Sequence, residues 1–350
     1  MTPWTWTPRP HGHRTTAAVA LAIALTAAIQ QPAGAEPRTP TTLTEVKAEL
    51  QRLYHDAEVA TDKYNAVDVK VRAQERRVGT LRSRIQATES NLTRLNSLAG
   101  AAAAAQYRGG GLPAEVQFVL DDDPESALDN ATLTRRAQQS TQELVKALRG
   151  TREKLRTRTD EASAELKRLE NNRRTMSADR RTIEQHITAA KRLESSLAEK
   201  QREQLAALEA QEAADAQAEW VDTGILDQVG TQATPAGRKA IAYATKQLGK
   251  PYVWGAEGPD SFDCSGLTSQ AWLAAGVTIP RTSELQWAQL KHVPIATMRP
   301  GDLIIYFSDA SHVALYTGDG KIIQAPRPGR WVYVSPAASM EILGVVRPDA

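Results

Sequence analysis

From Leu43 onward, apolar side chains recur at alternating steps of three and four residues. One seam position takes Leu43, Leu50, Ala57, Tyr64, Val71, Val78, Ile85, Leu92 and Ala99, and the other Val46, Leu53, Ala60, Val67, Leu81 and Leu95. Only Gln74 and Thr88 break the apolar pattern, and no proline interrupts it. A seven-residue repeat of this length predicts a supercoiled helix that buries its seam on a partner. At about 1.5 Å per residue, residues 43–99 extend about 85 Å. A second helix is predicted from Ala127 to Glu219, with Leu144, Leu148, Leu155, Leu166, Leu169, Met176, Ile183, Ile187, Ala190 and Leu197 inward. Arg173 and Arg180 fall where seam residues would be expected, so register shifts are predicted there. Between the helices, Gly109, Gly110, Gly111 and Pro113 end the first one. The pattern therefore predicts an antiparallel coiled-coil hairpin over residues 36–219, with a tip near 100–130. That tip either turns the chain or docks a partner through Val116, Phe118, Val119 and Leu120, an apolar cluster that needs a cover.

Past Glu219 the heptad disappears, and "WVDTGILDQVGTQATPAG" carries no lysine or arginine, which reads as a linker over 220–234. Thr234-Pro235 then has the form of an N-cap with proline in the first turn. In residues 235–350 a helix to Leu248 precedes a second helix that begins at "DCSGLTSQAWLAAG". The short β-rich runs "DLIIYF", "HVALYTG", "KIIQA", "WVYVS" and "ILGVVR" follow, with "GDG" turning the second into the third. Helices first and an antiparallel meander afterwards predict a small α+β domain.

Aromatic residues are 5% of the chain and charged residues 24%, too lean for one large core. The net charge of +2, without a basic block, speaks against nucleic acid as a partner. Arg9 and Arg14 precede an apolar run from Ala17 to Ile29, and Ala33-Gly34-Ala35 follows. This is the form of a secretory signal over residues 1–35, cleaved after Ala35. A membrane anchor would need about 20 apolar residues. The chain is expected to be secreted.

Cys264 is the only cysteine, so a structural disulfide within the chain is excluded. A thiol at a helix N-terminus faces unsatisfied amide hydrogens and the positive end of the helix dipole, which lower its pKa and favour the nucleophilic thiolate. Such a nucleophile needs a base. His11 and His13 leave with the signal, His55 and His186 belong to the stalk, and His292 is expected in a surface loop. His312 opens a predicted strand and is the favoured base. Gln324, across the hairpin, is expected to accept from Nδ1–H of His312 and orient the ring, with Asp309 as its rival. The head offers no cluster of metal ligands, and no metal or cofactor is expected.

The blocks "QLGKPYVWGAEGPDSFDCSGLTSQAWLAAGVTIPRTS", "MRPGDLIIYF" and "SHVALYTGDGKIIQAPRPG" resemble the NlpC-type family of papain-like cell-wall peptidases. The resemblance covers residues 235–350. It implies Cys264 as nucleophile, His312 as base and Gln324 in the third polar position, where many members carry histidine or an acid. It also implies that Tyr252 faces the nucleophile, that Asp263 and Ser265 hold a substrate amine, and that Arg281 is the arginine of the "PRTS" block. The implied reaction is cleavage of peptidoglycan stem peptides between D-γ-glutamate and the following diamino acid, at the cell wall. The stalk resembles the coiled coils of actinobacterial and streptococcal cell-separation hydrolases. An apolar tip on a stalk of this length reaches well beyond what holding a peptidase requires, so the tip is expected to dock on a membrane-embedded division complex, with a passive spacer as the alternative. A non-catalytic scaffold that activates other wall hydrolases is the competing reading of the whole chain.

Overall fold

The computed structural model describes residue 40, residues 42–108 and residues 124–350. The signal over residues 1–35 and the Phe118–Leu120 cluster lie outside the described residues. Helix α1 (Leu43–Arg108) runs unbroken and α2 (Pro124–Ser196) returns beside it. Every seam residue of α1 is buried or half-buried, from Val46, Leu50 and Leu53 near its start to Leu81 and Leu95. The pairs Gln74–Asn172 and Thr88–Arg158 fix the antiparallel register.

The register shifts expected at Arg173 and Arg180 do not occur. The inward positions of α2 step by four and three without interruption, and the two arginines lie just outside this stripe. Each pairs with a glutamate, Arg173 with Glu75 and Arg180 with Glu184. The irregularity has another source. One seam position of α2 is apolar throughout (Leu155, Ala162, Leu169, Met176, Ile183, Ala190), while the other is polar throughout (Thr151, Arg158, Glu165, Asn172, Asp179, His186). Arg158 donates to the Arg84 carbonyl and the Thr88 hydroxyl, and Asn172 donates to Gln74. Buried Glu165 faces Arg77 and Arg168. A hydrophobic count misses half of such a seam, because polar layers contribute register rather than burial.

After a break at Leu197 the chain re-enters a helix, α3 (Glu199–Asp222), and a short 3-10 turn, Ile225–Asp227, follows. The segment read as a linker is not a free tether. Trp220, Ile225, Leu226 and Val229 cover one face of the sheet, packing with Met298, Ile304, Tyr306, Tyr316 and Ile322. Without lysine or arginine, this stretch is apolar enough to close a core.

The head contains α4 (Pro235–Thr245), α5 (Cys264–Ala274), α6 (Ser283–Gln289) and six strands. These are β1 (Lys291–Val293), β2 (Leu303–Tyr306), β3 (His312–Gly318), β4 (Lys321–Gln324), β5 (Tyr333–Pro336) and β6 (Ile342–Arg347). All pairings are antiparallel, in the order β1-β6-β2-β3-β4-β5. Strands β2 to β5 are the expected meander. β6 returns to pair with β2 instead of extending it, and β1, absent from the sequence reading, closes that edge. The fold is thus α+β: a long helical hairpin joined to a small domain with an antiparallel sheet. Helices α4 and α5 bury Ala240, Ala244, Leu267, Ala271 and Trp272 against Leu303, Ile305, Val313 and Leu315 on the second face. That packing sets the N-terminus of α5 against the start of β3.

Candidate active site

Helix α5 starts at Cys264 because Asp263 caps it: its Oδ1 accepts from the Gly266 amide at 2.6 Å. Gly266 is required there, since a Cβ would lie 2.2 Å from the Ala256 carbonyl oxygen. Arg281 donates to both oxygens of Asp263, at 3.0 and 2.6 Å, and to Ser265 Oγ at 2.9 Å. A planar fork on a fully buried carboxylate fixes the entrance to α5. The same carboxylate holds the guanidinium well above its ordinary pKa, against the opposing effect of burial. Asp263, Ser265 and Arg281 form one hydrogen-bonded cluster, a contact between the arginine and the other two that the sequence did not predict. Tyr252 is buried beside Cys264 in the same core, and burial pushes its hydroxyl well above the ordinary value.

His312, the first residue of β3, is buried against the thiol. Its Nε2 lies 2.8 Å from Gln324 Oε1, and Gln324 Nε2 donates to Ser335 Oγ at 2.7 Å. This corrects the expected nitrogen. The register Leu315↔Ile323 puts Gln324 diagonal to His312, so its side chain reaches the far nitrogen and leaves Nδ1 for the thiol. The rival Asp309 does not reach His312. Its carboxylate meets His55 Nε2 at 3.0 Å and the Ser311 amide at 3.2 Å. His292 stands on β1, stacked on Trp287 and bonded to its carbonyl, away from this cluster.

The residues that sequence reasoning missed come from α1. Glu58, Asp62 and Asn65 are buried on the head although they read as a solvated flank. Glu58 Oε1 lies 3.3 Å from His312 Nδ1. Asp62 accepts from the Ser283 hydroxyl and, at 3.3 Å, from the Glu284 amide. Asn65 Nδ2 donates to Asp263 Oδ2 at 3.1 Å. Around them Tyr64 meets Trp254 edge-on at 5.2 Å, and Arg72 pairs with Glu257 at 3.2 Å. The only signal was the spacing of positions 54, 58, 61, 62 and 65, one helical stripe beside the seam.

This cover sets the electrostatics. The helix terminus was expected to depress the Cys264 pKa, but burial pushes the thiol up, with His312 opposing. Burial likewise disfavours charge on His312, yet Glu58 and then Cys264 hold it well above its ordinary value. Asp62 is raised to about 8, by burial first and by the nearby Asp263 charge after it, against the hydrogen bond from Ser283. In this arrangement Glu58 of α1 stands beside the nitrogen that the thiol needs, and Cys264 is buried.

Thiol, imidazole and amide in this order are the parts of a nucleophilic acyl-transfer centre. The NlpC/P60 family pattern matches residues 249–341, which contain all three. The C-terminal domain is an NlpC/P60 domain. A probable endopeptidase of Corynebacterium glutamicum is 43% identical over 104 residues, which is 29% of this chain and 50% of that protein. The probable endopeptidase p60 of Listeria seeligeri is 46% identical over 91 residues, 25% of this chain and 17% of that protein. The crystal structure of the P60 domain of an antigen from M. avium subspecies paratuberculosis is 34% identical. The match covers 32% of this chain and 92% of that one, with a TM-score of 0.30. The chain thus spans half or less of these two curated relatives, and the family pattern falls within the head.

Proposed function

We propose that this protein is an exported cysteine endopeptidase that hydrolyses peptidoglycan stem peptides, held inactive by its own first helix. The observation that carries the reading is Cys264 at the capped start of α5, beside an imidazole whose other nitrogen is bound by Gln324. With α1 lifted, His312 Nδ1 takes the thiol proton and the sulfur attacks the scissile carbonyl. Amide hydrogens at the start of α5 face the developing oxyanion. His312 returns the proton to the leaving amine, and water, deprotonated by the same nitrogen, releases the acyl group. Gln324 keeps the ring in plane. A neutral amide stabilises the imidazolium less than a carboxylate would.

The bond proposed is the D-γ-glutamyl–diamino acid bond, with Asp263 and Ser265 near the substrate amine. The probable endopeptidases among the relatives support a peptidase, and the closed cleft supports regulation. An unrestrained wall hydrolase would endanger its own cell. Release is assigned to a membrane-embedded division partner acting at the tip. Continuous helix joins Arg108 to Glu58 over about 75 Å at 1.5 Å per residue.

Purified stem peptides test the proposal, with products identified by mass. The Glu58→Gln chain should cleave them, and the same chain with Cys264→Ala should not. If alkylation shows Cys264 accessible in Glu58→Gln and no peptide is cut, the head is a scaffold rather than an enzyme.

A further inference from the structure

Between α1, α3 and the edge of the head lies a cavity of about 910 Å³. Its wall includes Arg327 and the two side chains that flank the catalytic histidine, Glu58 at Nδ1 and Gln324 at Nε2. Arg327 follows β4 by three residues, and the stalk occupies it fully. Its guanidinium donates to Glu194 at 3.1 Å and to Glu209 at 3.2 Å, and lies over the Tyr54 ring at 4.3 Å. It is largely buried, and these carboxylates raise its pKa against burial. The stalk thus sets carboxylates at both ends of one cleft: Glu58 and Asp62 at the thiol, Glu194 and Glu209 at Arg327.

We infer that Arg327 is a specificity residue that binds a carboxylate on the leaving-group half of the substrate, and that Glu194 and Glu209 stand in for it. The inference rests on the peptidase reading and adds a subsite to it. A general acid must face the amine it protonates, so the leaving group lies on the His312 side of the sulfur. The cavity lies on that side, next to Gln324. A stem peptide cut ahead of its diamino acid releases a fragment ending in a free carboxylate. A guanidinium fork at the end of a protected groove selects that group by a pair of charge-assisted hydrogen bonds. Arg330, which also reaches Glu209 at 2.9 Å, can hold that glutamate when substrate displaces it.

The test uses the full chain with Glu58→Gln, Glu194→Gln and Glu209→Gln, which free the histidine and the guanidinium, with and without Arg327→Gln. Each form is given one stem tetrapeptide as the C-terminal acid and as the C-terminal amide. With Arg327 present, KM for the acid should be about tenfold or more below that for the amide, with kcat unchanged, as expected for a charged hydrogen-bond pair. With Arg327→Gln the two substrates should become equivalent. An acid preference that survives Arg327→Gln, or no preference with Arg327 present, overturns the inference. Calorimetric titration of the same two peptides into the Cys264→Ala counterparts reads the subsite without turnover. Lack of cleavage with acid-selective binding would fault the peptidase reading alone, and cleavage without selectivity would fault only the subsite.

Discussion

Replacing Asp62 by asparagine should close the protein more tightly, although it deletes a carboxyl group that contacts the catalytic domain. Asp62 is 1% exposed and titrates at about 8 in the cleft, against 3.8 for an ordinary aspartate. The acidic side chains that act on it are Asp263 and Glu284 on the head. The Ser283 hydroxyl and Glu284 amide favour its charged form without prevailing. Away from the cleft the carboxyl is ionised at neutral pH, so closing must load a proton. At about 1.4 kcal/mol per pH unit, this opposes closure by about 4 kcal/mol at pH 7. A pKa raised in the closed state favours closure on the acid side. The opposition is absent below about pH 4, grows as pH rises and levels off above about 8. His312, also raised by closure, acts in the same direction, so alkali opens the chain. Asparagine accepts the same two hydrogen bonds and stays neutral. The assay is the alkylation rate of Cys264 in the two full-length chains between about pH 5 and 8. The Asp62→Asn chain should react more slowly, by a factor that grows about tenfold per pH unit. Equal rates throughout, or faster reaction of Asp62→Asn, would refute the reasoning.

Glu58→Gln should act the opposite way, because breaking a buried ion pair is destabilising by about 3 kcal/mol or more; peptide cleavage by the full-length chain should rise about a hundredfold. In that released background Gln324→Ala should lower kcat by about tenfold with little change in melting temperature, and Gln324→Glu should keep or raise it, since a carboxylate stabilises the imidazolium better. A head fragment beginning at residue 235 lacks Trp220, Leu226 and Val229, and should melt well below one beginning at residue 215, at about 1.5–3 kcal/mol for each large side chain uncovered.

What the sequence made legible were the features that rest on local rules. The α1 heptad, the Thr234 cap, the Gly318–Gly320 hairpin and the strands from Leu303 to Arg347 each follow from periodicity or turn chemistry, and each has its place in the structure. Cys264, His312 and Gln324 converge as expected, but the ring nitrogen could not be read, because it depends on the diagonal across β3 and β4. The cover over the site was not legible either. Glu58, Asp62 and Asn65 carry the same chemistry as residues on a solvated helix flank, and only tertiary docking makes them buried partners. α1 fills the cleft, while 220–234 completes the sheet's other core.

The alternating seam of the hairpin makes the stalk a threaded shaft rather than a greased one. An all-apolar seam would tolerate a slip of one heptad, trading one leucine contact for another. Here Gln74 meets Asn172 and Arg158 meets Thr88, so a slip of one heptad sets the Gln74 amide against a carboxylate and the Arg158 guanidinium against a leucine. Register errors are therefore penalised at both of these polar layers. A twist or pull applied at the far end reaches Glu58 as the same displacement, without backlash.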